Sequence, residues 1–192
     1  MNQLPKAASP ATPGPWILAT LILLAALSRL LPHPPNFSPV EAIALFGGAF
    51  FASRALALLV PLLAMLVADA ALALKHGGLY AGWFGSGGFW LVYLCIAASV
   101  LLGFGLRGRA SAGRVLAYCL AGSVLFFVVT NFGAWLGSPM YPRSGAGLMQ
   151  AYVAGIPFFR WTVLGTLAYA ALLFGGFSLL RARLPVLRAS TV

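Results

Sequence analysis

The sequence predicts an all-helical integral membrane protein, folded as a single bundle of six transmembrane helices with both termini in the cytoplasm. Composition is the first observation behind this prediction: of 192 residues, 61% are hydrophobic and 7% are charged, whereas ordinary soluble domains are about 25% charged. The spacing of the apolar runs is the second observation, and the distribution of Lys and Arg is the third. Composition excludes soluble enzymes and secreted disulfide-stabilised domains. At about 20 residues per span, the length allows about six spans.

Six apolar runs supply the predicted spans: residues 16–31, 40–52, 55–74, 89–106, 115–137 and 161–180. The first run ends at Ser28-Arg29 and not at a small-residue cleavage site, so we expect a retained helix instead of a signal peptide. The second run is short for a span, so we expect a tilted, short or partly re-entrant helix. One membrane domain is expected over 16–181, between a disordered Pro/Ala/Ser-rich tail at 1–15 and a basic tail at 182–192.

Three longer connections separate these runs. The first, 32–39, contains four prolines; the second, 75–88, is rich in Gly; the third, 138–160, is expected to hold at most a short helix. With six spans, one side of the membrane carries eight cations, namely Lys6, Arg54, Arg107, Arg109, Arg114, Arg181, Arg183 and Arg188. The other side carries four, namely Arg29, Lys75, Arg143 and Arg160. The positive-inside rule makes the first side cytoplasmic. We therefore attribute the net charge of +10 to topology and lipid contact, not to nucleic acid.

Nearly all unusual polar side chains fall in the outer half of this topology, which indicates a binding site that opens outwards beneath the three loops. The candidate site residues are His33, Asn36, Asp69, Tyr80, Trp83, Cys95, Asn131, Trp135, Tyr141 and Arg160. A proton pump or a channel would need polar groups along the whole path. Structural roles stay open as alternatives. Asp69 and Glu41 would then pair with Arg29 or Arg160, Asn131 would bond a neighbouring helix, and the aromatic residues would form an interface belt.

The two cysteines, Cys95 and Cys119, lie inside apolar runs, and without a CxxC motif a structural zinc site is not expected. Cys95, Ser99 and Gly103 form a strip of small residues, which is typical of close helix packing. The alternative role of Cys95 is that of a soft thiolate ligand for a metal in the bound solute. The chain has no P-loop, GxSxG or HExxH motif, so energy for transport would come from elsewhere.

Four segments resemble a family of small bacterial membrane proteins that carries a domain-of-unknown-function label, the DUF6580 type. They are RLLPHPPNFSPVEAIALFGGAFF at 29–51, TNFGAWL at 130–136, MYP at 140–142 and AYVAGIPFFRWTVLGTLAYAALLFGGF at 151–177. The resemblance covers residues 28–188, and PHPPNF and IPFF are its most specific motifs. Where members of the family are expected to carry Gly-Asp-Leu, this chain has Gly165-Thr166-Leu167. A role shared through that acid is therefore not carried over.

The chain is also similar to the substrate-binding S components of energy-coupling-factor (ECF) vitamin transporters, in particular to the BtuM-type solitary cobalamin transporters. This resemblance implies a multi-pass protein of the bacterial inner membrane, with six helices, cytoplasmic termini and a vitamin site under the outer loops. It implies that Cys95, and not Cys119, is the axial ligand of the cobalt of cobalamin, the transported ligand. No intrinsic cofactor is implied. The implied partner is an ECF ATPase and transmembrane module acting in trans, unless the protein works alone. Ala44, Gly48 and Ala52 are the candidate docking strip.

Other functions stay open at this point. The same fold with another ligand, such as a flavin, a thiamin-like compound or a queuosine-type precursor, would not need Cys95. A structural subunit of a membrane complex would bind no small molecule at all. An intramembrane enzyme would use Cys95 with His76 or His33 as nucleophile and base. If Cys95 displaces the upper ligand of cobalt, chemical modification of bound cobalamin would accompany binding.

Overall fold

The computed structural model describes residues 13–192, except for the side chains of residues 79, 81, 189 and 190. This part of the chain contains helices and short connections but no strand. The α-helices, in chain order, are α1 (Pro13–Leu27), α2 (Val40–Phe50), α3 (Arg54–His76), α4 (Gly78–Ala81), α5 (Gly87–Gly103), α6 (Ala112–Gly137), α7 (Gly145–Ala170), α8 (Gly176–Arg183) and α9 (Pro185–Ser190). Most of the predicted tail at 1–15 lies outside the described residues.

Five helical segments of the described chain are long and apolar enough to cross a membrane: Pro13–Leu30, Arg54–His76, Gly87–Leu106, Ala112–Gly137 and Gly145–Arg183. The membrane class and the helical fold are thus confirmed. The predicted second run is a shorter helix, α2, of 11 residues. The first helix is already formed at Pro13, the first residue that the structure describes and three residues before the predicted start at Trp16.

The third outer connection differs from its prediction. We expected a long connection over 138–160, whereas the connection ends at Ser144 and helix α7 begins at Gly145. The Ser144 side chain caps this helix by accepting a hydrogen bond from the Gly147 backbone nitrogen. Glycines in this segment led to the prediction of a loop, but at Gly155 the missing side chain allows close packing inside a helix. A Cβ at Gly155 would collide with Asn131 of α6. Through a π-helical turn at Ala171–Gly175, α7 continues into α8.

Helix α2 forms the centre of the bundle, because every one of its residues is buried. Its neighbours supply the apolar surroundings that an 11-residue helix cannot obtain by crossing the bilayer alone. A Cβ placed on Gly103 of α5 would lie 2.6 Å from the Leu45 backbone oxygen and 3.0 Å from the Gly48 Cα atom. The small residues therefore bring α2 and α5 into backbone contact. Ala44 and Gly48, two of the three residues of the proposed docking strip, are buried by packing inside this chain and are not available to a partner.

The bundle has two chemically different ends. The loop end carries residues 31–39, 77–86 and 138–144. The tail end carries residues 51–53 and 107–111 together with the C-terminal segment, where the Val192 backbone nitrogen donates to the Phe50 oxygen. Seven described cations belong to the tail end: Arg54, Arg107, Arg109, Arg114, Arg181, Arg183 and Arg188. Three belong to the loop end: Arg29, Lys75 and Arg143. Arg160, which the sequence placed among the four cations of the outer side, is not a loop residue, because it lies inside α7.

Candidate solute site

The loop end encloses a cavity of about 290 Å³ in which most of the buried charge of the bundle is gathered. We call it the polar cavity. It is lined by Arg29, His33, Asn36, Ser38, Val40, Glu41, Met65, Asp69, Tyr80, Trp83, Val92, Phe126 and Thr162. Larger cavities of about 430 Å³, between α6 and α7 towards the tail end, and of about 660 Å³, beside Trp83, have no charged side chain in their walls. A further cavity of about 490 Å³ is lined by Arg29, Lys75 and His76 but by neither of the two buried acids. The polar cavity is therefore the candidate site.

Asp69 of α3 anchors one wall of the polar cavity. Its side chain is 2% exposed, and its Oδ1 atom lies 2.6 Å from Nη1 of Arg29. Tyr80 donates to the same oxygen at 3.1 Å, and Tyr93 donates to Oδ2 at 2.9 Å. Both carboxylate oxygens are thus occupied by donors from three other segments. The predicted pairing of Asp69 with Arg29 is confirmed, and it joins the end of the first helix to α3 and α5.

Tyr80 lies between the two charges of this pair, since Arg29 Nη2 donates to the Tyr80 hydroxyl oxygen at 3.2 Å. Burial raises the pKa of the Tyr80 hydroxyl above its usual value; the positive charge of Arg29 opposes this rise, and the negative charge of Asp69 adds to it. The phenol therefore keeps its proton and its role as a donor to Asp69. Tyr80 lies on α4, directly after α3, so part of the segment that was predicted as a Gly-rich loop is helical.

Glu41 of α2 is the second acid, and it is bonded differently. Its side chain is fully enclosed, with the residue 2% exposed, and Oε2 accepts a hydrogen bond from Thr166 at 3.2 Å. Oε1 has no hydrogen-bond partner, and neither has the buried hydroxyl of Ser38 on the same cavity wall. Within residues 13–192 no cation pairs with Glu41, and the predicted pairing with Arg29 or Arg160 is wrong for this residue, because Arg29 is bonded to Asp69 and Arg160 is exposed.

The first loop closes over the cavity and is held close to α7. Asn36 adopts a positive φ of 65°, which Asn tolerates better than most residues and which turns the chain after the prolines. A Cβ at Gly165 of α7 would lie 2.7 Å from the Ser38 backbone nitrogen. Only glycine lets the loop and the helix approach this closely. This contact brings Ser38 and Thr162 to the wall of one cavity.

Asn131 lines a second cavity, of about 210 Å³, between α6 and α7. The two cavities adjoin, because Asn36, Phe126 and Thr162 line both of them. Asn131 donates to the Phe127 backbone oxygen of its own helix at 2.8 Å, so it is not bonded to a neighbouring helix as the structural alternative required.

Five predicted site residues, His33, Asn36, Asp69, Tyr80 and Trp83, line the polar cavity together. Cys95 does not: it is 1% exposed in α5, in the same strip as Ser99 and Gly103, which are also buried. Trp135 donates its indole N–H to the Pro142 oxygen, outside the cavity, and Tyr141 lies in the following turn.

Arg160 stands apart from the site and from its predicted place in a loop. It is exposed on α7, with its guanidinium carbon 5.3 Å from the centre of the Trp161 ring. The adjacent Phe159 stacks on Phe127, and Phe127 lies ten residues before the end of α6 at Gly137. The position of Phe127 on α6 and the 15 residues between Gly145 and Arg160 on α7 place Arg160 about 15–22 Å below the loop end, within the thickness of a bilayer core.

The predicted set lacked several residues of the site: Arg29, Ser38, Val40, Glu41, Met65, Val92, Phe126 and Thr162 on the cavity wall, and Tyr93, which bonds to Asp69. Thr162 and Thr166 are one helical turn apart in an apolar run, and this spacing was the available signal for a polar face directed at α2. Tyr93 carries no such signal, since an aromatic residue in a membrane helix is most often packing or interface.

The fold and the site define a polytopic helical membrane protein with an enclosed polar cavity near one end. Among the described residues, no three His, Cys, Asp or Glu side chains form a group that could hold a metal ion. The chain belongs to a family of unknown function, DUF6580, whose model matches residues 10–187. Comparison with curated proteins and comparison with solved structures gave no match.

Proposed function

We propose that the protein is an uptake protein of the bacterial inner membrane, which takes a small water-soluble vitamin or vitamin precursor into the polar cavity from the outer side. The excess of cations at the tail end supports a cytoplasmic position for that end, and hence an outward-facing cavity. The transport role is the one that the resemblance to ECF S components, inferred from the sequence motifs, would imply. The energy source is then a separate ATPase module or the gradient of the solute itself.

One observation carries this proposal: an apolar bundle encloses charged and polar groups that packing alone does not require. Charged residues within a membrane are costly and are associated with substrate sites. The Asp69 cluster has an evident structural role, since it joins α3 to three other segments. Glu41 is bonded to α7 through one oxygen only, and its Oε1 atom and the Ser38 hydroxyl are left without a hydrogen-bond partner at the cavity wall. A bound solute that supplies their hydrogen-bond partners gives a reason for both.

The dimensions favour a small solute over cobalamin. The polar cavity itself, at about 290 Å³, lies at the lower limit for sites that enclose a drug-sized molecule. A corrin with its nucleotide loop is much larger and would have to extend into a neighbouring space, such as the apolar cavity of about 660 Å³ that Trp83 and Val92 also line. Cys95 lies in the α5 strip and not on the cavity wall. Cobalt coordination by Cys95 would require α2 and α5 to separate. Cobalamin stays a prediction, and the alternative of another vitamin or precursor is the better fit to this geometry.

Binding to the purified full-length protein tests the proposal. Thiamin, riboflavin, a queuosine precursor and cobalamin would each be measured by thermal shift and by equilibrium dialysis in detergent. We expect one of these to bind, and we expect Trp83→Leu on the cavity wall to weaken its binding at least tenfold. Trp90→Leu is the matched control, since Trp90 is 67% exposed on α5 and does not line the cavity. Binding that Trp83→Leu leaves unchanged would place the solute elsewhere.

Cobalamin needs its own readout. If Cys95 coordinates cobalt, the absorption spectrum of bound corrin is shifted in the wild type, and the shift is lost in Cys95→Ala. Cys119→Ala is the control, because Cys119 is equally buried but lies towards the tail end. Unchanged cobalamin binding by Cys95→Ala would refute the ligand role.

A further inference from the structure

Glu41 is the charged group of the polar cavity that has no counter-charge. Arg29–Asp69 is the one ion pair found within residues 13–192, and it cancels its own charges. The hydrogen bond from Thr166 satisfies one oxygen of Glu41 and leaves the other without a donor. An ionised carboxylate in this position carries an uncompensated charge in a medium of low dielectric, which is very costly, so the neutral acid is favoured until a cation approaches and stabilises the ionised form.

Asp69 cannot be the carboxylate that binds a cationic solute. Its two oxygens already accept three hydrogen bonds, one of them from a guanidinium. The free acceptors of the cavity are therefore Glu41 Oε1 and the Ser38 hydroxyl. Of the remaining titratable side chains on the wall, His33 bonds through its ring nitrogen to the Leu31 backbone oxygen and is exposed at the cavity mouth.

The rest of the wall has the character of a site for an organic cation. Tyr80, Trp83 and Phe126 come from three separate segments and all line the cavity. Aromatic faces attract cationic nitrogen through their quadrupoles, and the attraction grows as water is excluded. Inorganic cations require several oxygen ligands around one point, whereas a carboxylate facing aromatic rings suits a larger and weakly hydrated cation.

We propose that the solute taken up by the polar cavity is a small organic cation, with a protonated or quaternary nitrogen, and that Glu41 is the residue that selects for its charge. This inference rests on the proposed function, since it names the chemical class of the transported solute.

Charge selectivity can be measured without knowing the natural solute. In a Cys95→Ala/Cys119→Ala background, Ser38→Cys places a thiol on the cavity wall. Its reaction rate is measured with the cationic reagent methanethiosulfonate-ethyltrimethylammonium and with the anionic methanethiosulfonate-ethylsulfonate. The same introduced thiolate attacks the divalent sulfur of both reagents, forming a mixed disulfide and releasing methanesulfinate, so the ratio of the two rates cancels any change in thiol ionisation. We expect Glu41→Gln to lower the cation-to-anion ratio at least about tenfold, and Glu41→Asp to retain most of it.

Met140→Cys in the same background is the matched control, since Met140 is 75% exposed at the loop end and does not line the cavity. Its ratio should not respond to Glu41→Gln. Choline chloride should slow the cationic reagent at Ser38→Cys more than an equal concentration of sodium chloride does. Equal slowing by the two salts would overturn the organic cation in favour of an inorganic one.

The outcomes separate the two proposals. Reaction with both reagents at a ratio that does not depend on Glu41 overturns the cation inference and leaves the uptake function standing. No reaction with either reagent, in a variant that remains monodisperse, shows a cavity closed to solutes and overturns both. If Glu41→Gln does not fold, the Glu41→Asp ratio and the competition by choline decide the inference.

Discussion

The pair between Arg29 and Asp69 makes the strongest energetic prediction of the structure. The substitution Asp69→Asn keeps the shape of the side chain but removes the charge and one acceptor oxygen. Three donors then compete for the remaining oxygen, and the Arg29 guanidinium, with 16% of its side chain exposed, loses its counter-charge. The perturbation thus tests whether the cluster joins the first helix, α3 and α5 energetically as well as geometrically.

Removing one partner of a buried ion pair costs about 3–5 kcal/mol. Because Arg29 faces the cavity and keeps some contact with water, we expect Asp69→Asn to cost about 3 kcal/mol of unfolding free energy. Tyr93→Phe removes one hydrogen bond to a charged acceptor and should cost about 1.5–2 kcal/mol. The double variant Arg29→Gln/Asp69→Asn should be more stable than the sum of its single variants predicts, since no unpaired charge is left.

The assay is equilibrium unfolding in mixed micelles by titration with dodecyl sulfate, followed by circular dichroism. Lys75→Gln is a suitable control, since Lys75 is exposed at the loop end and its ammonium bonds to a backbone oxygen. We expect it to change stability by less than about 0.5 kcal/mol. Single variants of the pair that each cost under about 1 kcal/mol, with additive effects, would refute the reasoning and indicate that water solvates both charges.

Three further predictions concern packing and membrane exposure. Gly48→Leu should prevent folding, because the added side chain would separate α2 from α5. Gly113→Ala is the control: an added Cβ there meets nothing within 4 Å, so thermal unfolding should show a neutral or slightly stabilising effect. A stable Gly48→Leu protein would contradict the close contact. Cys95 and Cys119, each 1% exposed, should resist a water-soluble maleimide in the folded protein, and rapid labelling of Cys95 alone would restore its place in the site. Arg160→Leu should raise stability in bilayers by about 2–3 kcal/mol, and an unchanged value would show that the guanidinium reaches the head groups.

The apolar runs predicted most of the fold because spans of about 20 residues are dictated by bilayer thickness. Residues 89–106 and 115–137 correspond closely to Gly87–Leu106 and Ala112–Gly137. The start of α7 escaped prediction since glycine and proline usually interrupt helices. In a packed membrane helix, Gly155 is instead the space for the Asn131 side chain. Which role a glycine has depends on a neighbour that is distant in the sequence.

The same limit applies to the site. Assigning each polar residue to one side of the membrane was enough to group His33, Asp69 and Trp83 as candidate site residues, and all three line the polar cavity. This assignment predicts the depth of a residue in the membrane but not the direction in which its side chain points. Arg160 was placed in a loop because α7 was shortened, and the different bonding of Glu41 and Asp69 depends on Thr166 and Tyr93.

Side-specific labelling of Ser38→Cys, in the background without native cysteines, tests the central claim most directly. The impermeant cationic reagent would be added to right-side-out and to inverted membrane vesicles that contain the full-length protein. An outward-facing solute cavity predicts rapid labelling in right-side-out vesicles and little labelling in inverted ones. Labelling only in inverted vesicles would reverse the topology. Absence of labelling from either side would contradict a cavity that admits a solute from water.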